Sequence, residues 1–164
     1  MKKILFVALL CAPLTLMAQK FGHFNSQEIL TAMPEYTTAQ NELQTLATQY
    51  ENDMKSMQEE FTKKSEAFEK EQANLLDNIR QRRQAELQEL YTRIQQSAQD
   101  NQTAFQKAQA EKLQALSDKV LAAVKKIGDE GGYVYIMDIT MGVPYISTKL
   151  STDITPELKK ELGL

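Results

Sequence analysis

Acid–base, nucleophilic and metal chemistry each need a few side-chain types brought together, and this 164-residue sequence holds few of them. It has one histidine, His23, and one cysteine, Cys11. A lone imidazole excludes a His-rich metal site, and a lone thiol excludes an internal disulfide. There is no glycine-rich phosphate loop, no G-x-S-x-G, no H-E-x-x-H and no C-x-x-C. His23 lies in a segment of strand character, where a hydrogen-bonded structural role suits it. The carboxylates are interleaved with lysines at helical spacing, the pattern of solvated i, i+4 pairs. No pair of them is singled out as acid and base. The expectation is a protein that is not an enzyme, with no catalytic residue, no cofactor and no metal.

Two other groups of side chains carry recognition chemistry. Met54, Met57, Phe61, Phe68 and Leu75 recur at helical spacing. Methionine is deformable and suits surfaces that accept many partners. These residues either close a loosely packed helical seam or partly face a cavity and hold apolar ligands. Arg80, Arg82 and Arg83 form the one compact basic cluster. They serve either the solubility of an exposed turn or contact with anionic lipid headgroups or acidic segments of a bound chain. A net charge of −3 argues against a nucleic-acid partner, which calls for a basic excess.

Both groups lie in one long element. From Glu35 to Ile127 there are 93 residues without Gly or Pro, rich in Gln, Glu, Ala, Lys and Leu. Pro34 precedes the run and Gly128 follows it, the residue types that open and close helices. One straight helix of that length would reach roughly 140 Å, so the run reads as a coiled coil or a hairpin. Met54, Phe61, Phe68 and Leu75 repeat by seven, as do Leu43, Tyr50 and Met57. Tyr91, Ala98 and Phe105 repeat likewise, and so do Leu113, Val120 and Ile127. A sustained heptad winds helices into a left-handed supercoil. In an antiparallel hairpin, facing residues have a constant index sum. A sum of 159 pairs Met54 with Phe105, Phe61 with Ala98, Phe68 with Tyr91, Leu43 with Leu116 and Ala39 with Val120. The tip then falls between Ile79 and Arg80, and a heptad shift gives nearly as good a match, which bounds it to 75–83. Asp77-Asn78 are the best local turn formers there. Lys64, Gln72, Arg82 and Asn101 fall at or near seam positions and make the seam imperfect.

The flanks differ in character. Lys20 to Phe24 reads as a strand, and Asn25-Ser26-Gln27-Glu28 as a capping box opening a short helix that stops near Met33-Pro34. After Gly131-Gly132, Tyr133 to Asp138 reads as a strand of high β propensity. Val143 to Thr148 reads as another, with Pro144 at an edge. Asp153 or Thr155 can cap a last helix over 156–162. Tyr133, Val134, Tyr135, Ile136 and Met137 are apolar on both faces of their strand. So small a body cannot cover both, so it calls for an oligomer whose sheets join.

Residues 1–18 read as an address. Lys2 and Lys3 precede an apolar run, Ile4 to Ala12, too short to span a bilayer, and a small residue, Ala18, stands at its end. Cleavage after Ala18 is expected; lipidation of Cys11 lacks the small residue such a site needs beside it. Removing the segment takes the net charge from −3 to −5 and leaves no cysteine.

Phe24 to Leu30 with Met33-Pro34-Glu35-Tyr36, the tip segment Asn78 to Arg83, and the strand Tyr133 to Asp138 together resemble the Skp/OmpH family of periplasmic chaperones. The resemblance implies a mainly α protein with a small β body: an antiparallel coiled-coil hairpin over 35–127, and a body from 19–34 and 128–164 that joins into a β-barrel in a homotrimer. It implies an ATP-independent holdase in the periplasm, keeping unfolded outer-membrane proteins in the cavity between the arms. The enteric members are strongly basic whereas this chain is acidic, so capture by long-range attraction and a basic lipopolysaccharide site do not carry over directly. The alternatives are a structural coiled-coil spacer between periplasmic partners and a protein that touches an anionic membrane surface through its arginine tip.

Overall fold

The computed structural model describes residues 19–143 and 145–164. The expected address segment and Pro144 lie outside the described residues. The elements are β1 (Lys20–Phe24), α1 (Ser26–Ala32), α2 (Pro34–Glu71), a 3-10 turn (Gln72–Asn74), α3 (Asp77–Gly131), β2 (Tyr133–Asp138), β3 (Ser151–Asp153) and α4 (Thr155–Leu162). The chain divides into two compact units, residues 19–27 with Ala122–Leu164, and Glu28–Leu121.

In the first unit, β1 is the middle strand of a three-stranded sheet of order β2-β1-β3, parallel to both neighbours. Phe21 pairs with Tyr135 and with Ser151, and His23 with Met137 and with Asp153. Parallel neighbours cannot be joined by a tight turn, and here the entire helical stretch separates β1 from β2. Gly22 is buried because a Cβ there would stand 3.1 Å from both the Tyr133 ring and Ile136. Phe24, Ile154 and Leu158 are buried. Asp153 opens α4 by accepting a 2.9 Å hydrogen bond from the Thr155 amide.

Val143 to Thr148 is not a strand among its described residues; the third strand is Ser151–Asp153. Propensity is overridden by the backbone partner: β1 offers its second edge to Ser151–Asp153, and the His23 carbonyl accepts from the Ile154 amide at 2.9 Å. The long helix also runs past Gly128 to Gly131, and Gly132, at φ +67°, ends it. A mid-helix glycine costs only about 1 kcal/mol, and Ile136 lies 3.4 Å from where a Gly128 Cβ would be.

In the second unit, α2 opens at Pro34, in the first turn where proline loses no helical hydrogen bond. It runs to Glu71, where the 3-10 turn begins, and Leu75 is extended (φ −83°, ψ 144°). The Leu76 carbonyl then accepts from the Ile79 and Arg80 amides, at 3.0 and 2.9 Å, as α3 begins. The helices are interrupted at 72–76, ahead of Asp77-Asn78, which lie in the first turn of α3 rather than at a reversal centred on Ile79 and Arg80.

Side chains link α2 and α3 in antiparallel order. The Phe61 and Tyr91 rings lie 6.0 Å apart. Glu35 is hydrogen-bonded to Lys119 and Glu42 to Lys112, and Glu71 lies 3.5 Å from Arg83. The index sums are 152 for the rings and 154 for the ion pairs, one heptad or slightly less below 159. The pairing of Phe61 with Ala98 is therefore replaced by Phe61 with Tyr91. The heptad pattern is unchanged by a shift of seven, so it does not fix the register.

Candidate functional site

The described residues offer three surfaces on which recognition could occur: the α2–α3 pair, the turn between them and the outer surface of the sheet. The α2 residues at least half-buried follow a 3-4 spacing through Leu43, Leu46, Tyr50, Met54, Met57, Phe61, Ser65 and Phe68. On α3 the corresponding line is Arg83, Leu87, Leu90, Ile94, Ser97, Asn101, Phe105 and Ala108, continuing through Lys112 to Leu116 and Val120. Met54, Met57, Phe61 and Leu75 are thus half-buried and Phe68 is buried, at 8% exposure. The four on α2 line the face it turns toward α3, and Leu75 lies beyond α2 in the turn. Lys64 and Arg82 are exposed and stand off the seam. Asn101 is half-buried on it, with Ser65 and Ser97.

The seam on α3 runs through Leu87, Leu90 and Ile94, not through Tyr91 and Ala98. α3 carries two adjacent apolar stripes in sequence, and the larger residues of the second stripe mark the outer one. Tyr91 is 46% exposed and Leu113 42%, while Leu121 and Leu76 are more exposed still. These four are the large apolar side chains that the second unit leaves to solvent. Three of them had a signal in the sequence: Tyr91, Leu113 and Leu121 each sit one position beyond a 3-4 seam that could be traced from Leu87, Leu90 and Ile94, whereas Leu76 lies in the turn ahead of α3. Leu113 also borders a groove of about 320 Å³ with Tyr36, Leu43, Ala47 and Phe105, rimmed by Gln40 and Gln109.

The three arginines are engaged within the chain. Arg80 donates through Nε to the Gln72 carbonyl at 3.1 Å, and through its two terminal nitrogens to the Leu75 carbonyl and Asp77 Oδ1, each at 3.0 Å. Both carbonyls lie where the helix stops, the Gln72 one also accepting from the Leu75 amide at 3.4 Å, and a guanidinium fork suits them. Arg83 lies beside Glu71, and Arg82 is 3.7 Å from Glu86 one turn on. Arg80 thus holds the turn, and each of the three charges has an acidic neighbour.

In the first unit, the expected body strand is uneven. Tyr133 and Ile136 are half-buried, whereas Val134, Tyr135 and Met137 are 57%, 53% and 42% exposed. Tyr135 stacks at 4.8 Å on Phe21. With Met137, Val143, Ile146 and Leu150 they line an apolar hollow of about 310 Å³, and Tyr145 and Leu150 stand almost fully in solvent. β2 is an edge strand, so its outer backbone groups are open within one chain, and each of its faces keeps exposed apolar side chains, Val134 on one and Tyr135 and Met137 on the other.

The polar side chains around the sheet are structural. His23 Nδ1 is 2.8 Å from Ser151 Oγ across the β1–β3 pair. Asp138 Oδ1 accepts from the Ser26 amide at 3.2 Å, the Thr140 amide at 3.0 Å and the Thr140 hydroxyl at 2.7 Å. Partial burial pushes the Asp138 carboxyl up, but those hydrogen bonds outweigh it and hold it below the usual carboxylate range. The hydrogen bonds from Thr155 lower Asp153 in the same way. Among the described residues no three His, Cys, Asp or Glu side chains are grouped to hold a metal, and no helix is long and apolar enough to cross a membrane.

The family model for OmpH-like outer membrane proteins matches residues 20–162. No curated protein sequence matches the chain. Among solved structures, a crystal structure described as that of an OmpH-like outer membrane chaperone from Caulobacter crescentus superposes with a TM-score of 0.74. It is 13% identical, and the alignment covers 88% of this chain and 83% of that one. At that identity the likeness concerns the fold.

Proposed function

The chain belongs to the OmpH-like family, and we propose that it acts as an ATP-independent holding chaperone for unfolded outer-membrane proteins, exported to the periplasm and assembled as a homotrimer. The observation that carries this reading is the placement of apolar side chains where a rod would have none: Leu76, Tyr91, Leu113 and Leu121 stand in solvent beside the α2–α3 seam. An unfolded barrel strand alternates apolar and polar residues. Scattered apolar side chains among glutamines can take the former while the amides meet backbone groups of the client. Each such contact is weak, and several arms around one client raise the effective concentration. Binding the unfolded chain in preference to the folded one keeps it from aggregating, and release requires only a more stable competing state, insertion in the membrane.

The client surface proposed here is the outer stripe rather than the seam. Met54, Met57, Phe61 and Phe68 contribute by keeping the seam soft, since thioethers and interspersed Ser65, Ser97 and Asn101 pack loosely. A structural spacer would instead need a tight Leu/Ile seam, and those polar residues speak against it. The acidic balance makes apolar contact the main attraction.

Light scattering of an unfolded outer-membrane β-barrel protein diluted from urea tests the proposal. The protein is expected to suppress aggregation near one oligomer per client. Tyr91→Gln, Leu113→Gln and Leu121→Gln combined should raise the concentration needed by about tenfold, equivalent to ~1.4 kcal/mol, with helix content by circular dichroism unchanged. Unaltered aggregation at tenfold excess of the wild-type protein would reject the holdase reading.

A further inference from the structure

The two exposed flanks of α3 differ in charge. The positions just before its seam residues, from Arg82 to Lys119, are charged in eight cases of eleven. The positions just after the seam residues, from Gln84 to Leu121, hold no charge at all. They are six glutamines with Tyr91, Ala98, Leu113, Ser117 and Leu121, and all but Ser117 are exposed. Charged residues make up 25% of the chain, so an exposed line of eleven without one is more than a composition effect. The glutamine amides of this flank are also uncommitted. Gln96 and Gln114, off the line, each donate to the aspartate one turn on, at 2.9 and 2.7 Å. Among the described residues no side-chain hydrogen bond occupies the six on the line. On α2 the same side is uncharged only near its start: Gln44 and Ala47 border the groove with Gln109 and Leu113, and Glu51 and Lys55 follow. The uncharged surface therefore follows α3.

Two apolar stations stand on it. One is the Tyr91 ring, set 6.0 Å from Phe61 and 46% exposed. The other is the groove of about 320 Å³ walled by Tyr36, Leu43, Ala47, Phe105 and Leu113, roomy enough for an aromatic ring. Tyr91 and Leu113 are 22 residues apart, which is about 33 Å along a helix. A barrel strand tilted by roughly 35–45° through an apolar band about 25 Å tall covers about 30–35 Å between the aromatic girdles at its ends. The two lengths agree. A charged client residue laid on this flank would give up water without gaining a partner, so the flank favours uncharged segments.

We propose that the uncharged flank of α3 binds one membrane-spanning strand of an unfolded barrel, extended along the helix. The aromatic residue at one end of the strand rests on Tyr91, and the one at the other end enters the groove beside Leu113. The glutamines between the stations meet the backbone of the strand. This rests on the holdase reading and adds to it the length and the chemistry of the segment held.

Synthetic peptides about ten residues long, the length of one barrel strand, test it. The protein has no tryptophan, so anisotropy of a peptide tryptophan reports binding alone. The reference peptide is capped, alternates leucine with serine, and carries Trp at one end and Phe at the other. A second peptide halves the spacing of the rings, and a third replaces the central serine by lysine. The reference should bind at least fivefold tighter than either. Gln95→Glu with Gln102→Glu should weaken the reference peptide at least fivefold, and should hold the lysine peptide more tightly than the wild-type protein does. Ala104→Glu with Ala115→Glu, on the charged flank, should change neither affinity. Helix content and sedimentation should be unaltered in both variants. Equal affinity for the three peptides, no binding of the reference peptide, or equal effects of the two variants would overturn the proposal. A changed oligomeric state in the Gln95→Glu, Gln102→Glu protein would overturn it too, by making the flank an interface between copies. Full suppression of barrel aggregation by that protein would leave the holdase reading standing and reject the strand site. Peptide binding without suppression by the wild-type protein would reject the holdase reading instead.

Discussion

Asp138 illustrates how a residue in this chain earns its position without doing chemistry. One carboxylate oxygen collects the hydrogen bonds of Ser26 and Thr140, tying the end of β2 to the start of α1 and to the turn that follows. Because its folded pKa is lowered, its contribution to stability is complete above the unfolded value of about 4 and is lost as pH falls through the folded value. Asp138→Asn is therefore expected to destabilise the fold by about 1 kcal/mol at pH 7. The difference from wild type should shrink toward zero as pH drops below 4, as urea titrations across pH would measure; a constant difference would mean that the charge is irrelevant. Gly131 is decided by shape instead. A Cβ there would lie 2.5 Å from the Tyr133 ring. Gly131→Ala should be destabilising despite the better helix propensity of alanine, and Tyr133→Leu should relieve most of the cost.

The elements separate what was legible in the sequence from what was not. A breaker-free run between Pro34 and a glycine announces helix, and its polar composition with heptad spacing announces a partner helix. Both follow from local geometry, and both appear as α2 and α3. The register was not legible, because a heptad ladder is symmetric under its own period. The register shows instead in the Phe61–Tyr91 ring contact and in the ion pairs between the helices, which an apolar pattern does not contain. The inner line of α3 is misread from the pattern for a related reason: Tyr91 and Ala98 repeat by seven as cleanly as Leu87 and Ile94, and only burial distinguishes the stripes. Likewise Val143 to Thr148 has the composition of a strand, yet the free edge of β1 is taken by Ser151–Asp153. The corrected seam has a direct consequence. Leu90 is 5% exposed and its neighbour Tyr91 46%. Leu90→Ala should lower hairpin stability by about 2–5 kcal/mol, and Tyr91→Ala by about 1 kcal/mol or less. Thermal melts followed at 222 nm would compare them; equal losses would return Tyr91 to the seam.

At the scale of the whole molecule, one chain leaves apolar side chains and a strand edge uncovered. The sheet unit comprises roughly fifty described residues, a size at which a single core is marginal. Yet it exposes Val134 on one face of β2, and Tyr135 and Met137 on the other, beside Tyr145 and Leu150. The outer edge of β2 adds a row of unpaired backbone groups, which natural sheets cover or pair. Burying those side chains between copies removes apolar area at about 25 cal/mol per Å². Pairing the edges satisfies the backbone as well. A cyclic assembly of three copies, the state proposed above, gives each β2 a neighbour. Val134→Asp tests it at an exposed position, where a lone chain would accept the charge at little cost. In an assembly the same carboxylate is stripped of water without a partner. The wild-type protein should sediment as a trimer at micromolar concentration, and Val134→Asp should dissociate it with loss of the sheet unit's cooperative unfolding. The helical signal of the hairpin, held by its own seam, should largely remain. A wild-type protein that sediments as a folded monomer would remove the trimer, and with it the enclosed space in which a client would be held.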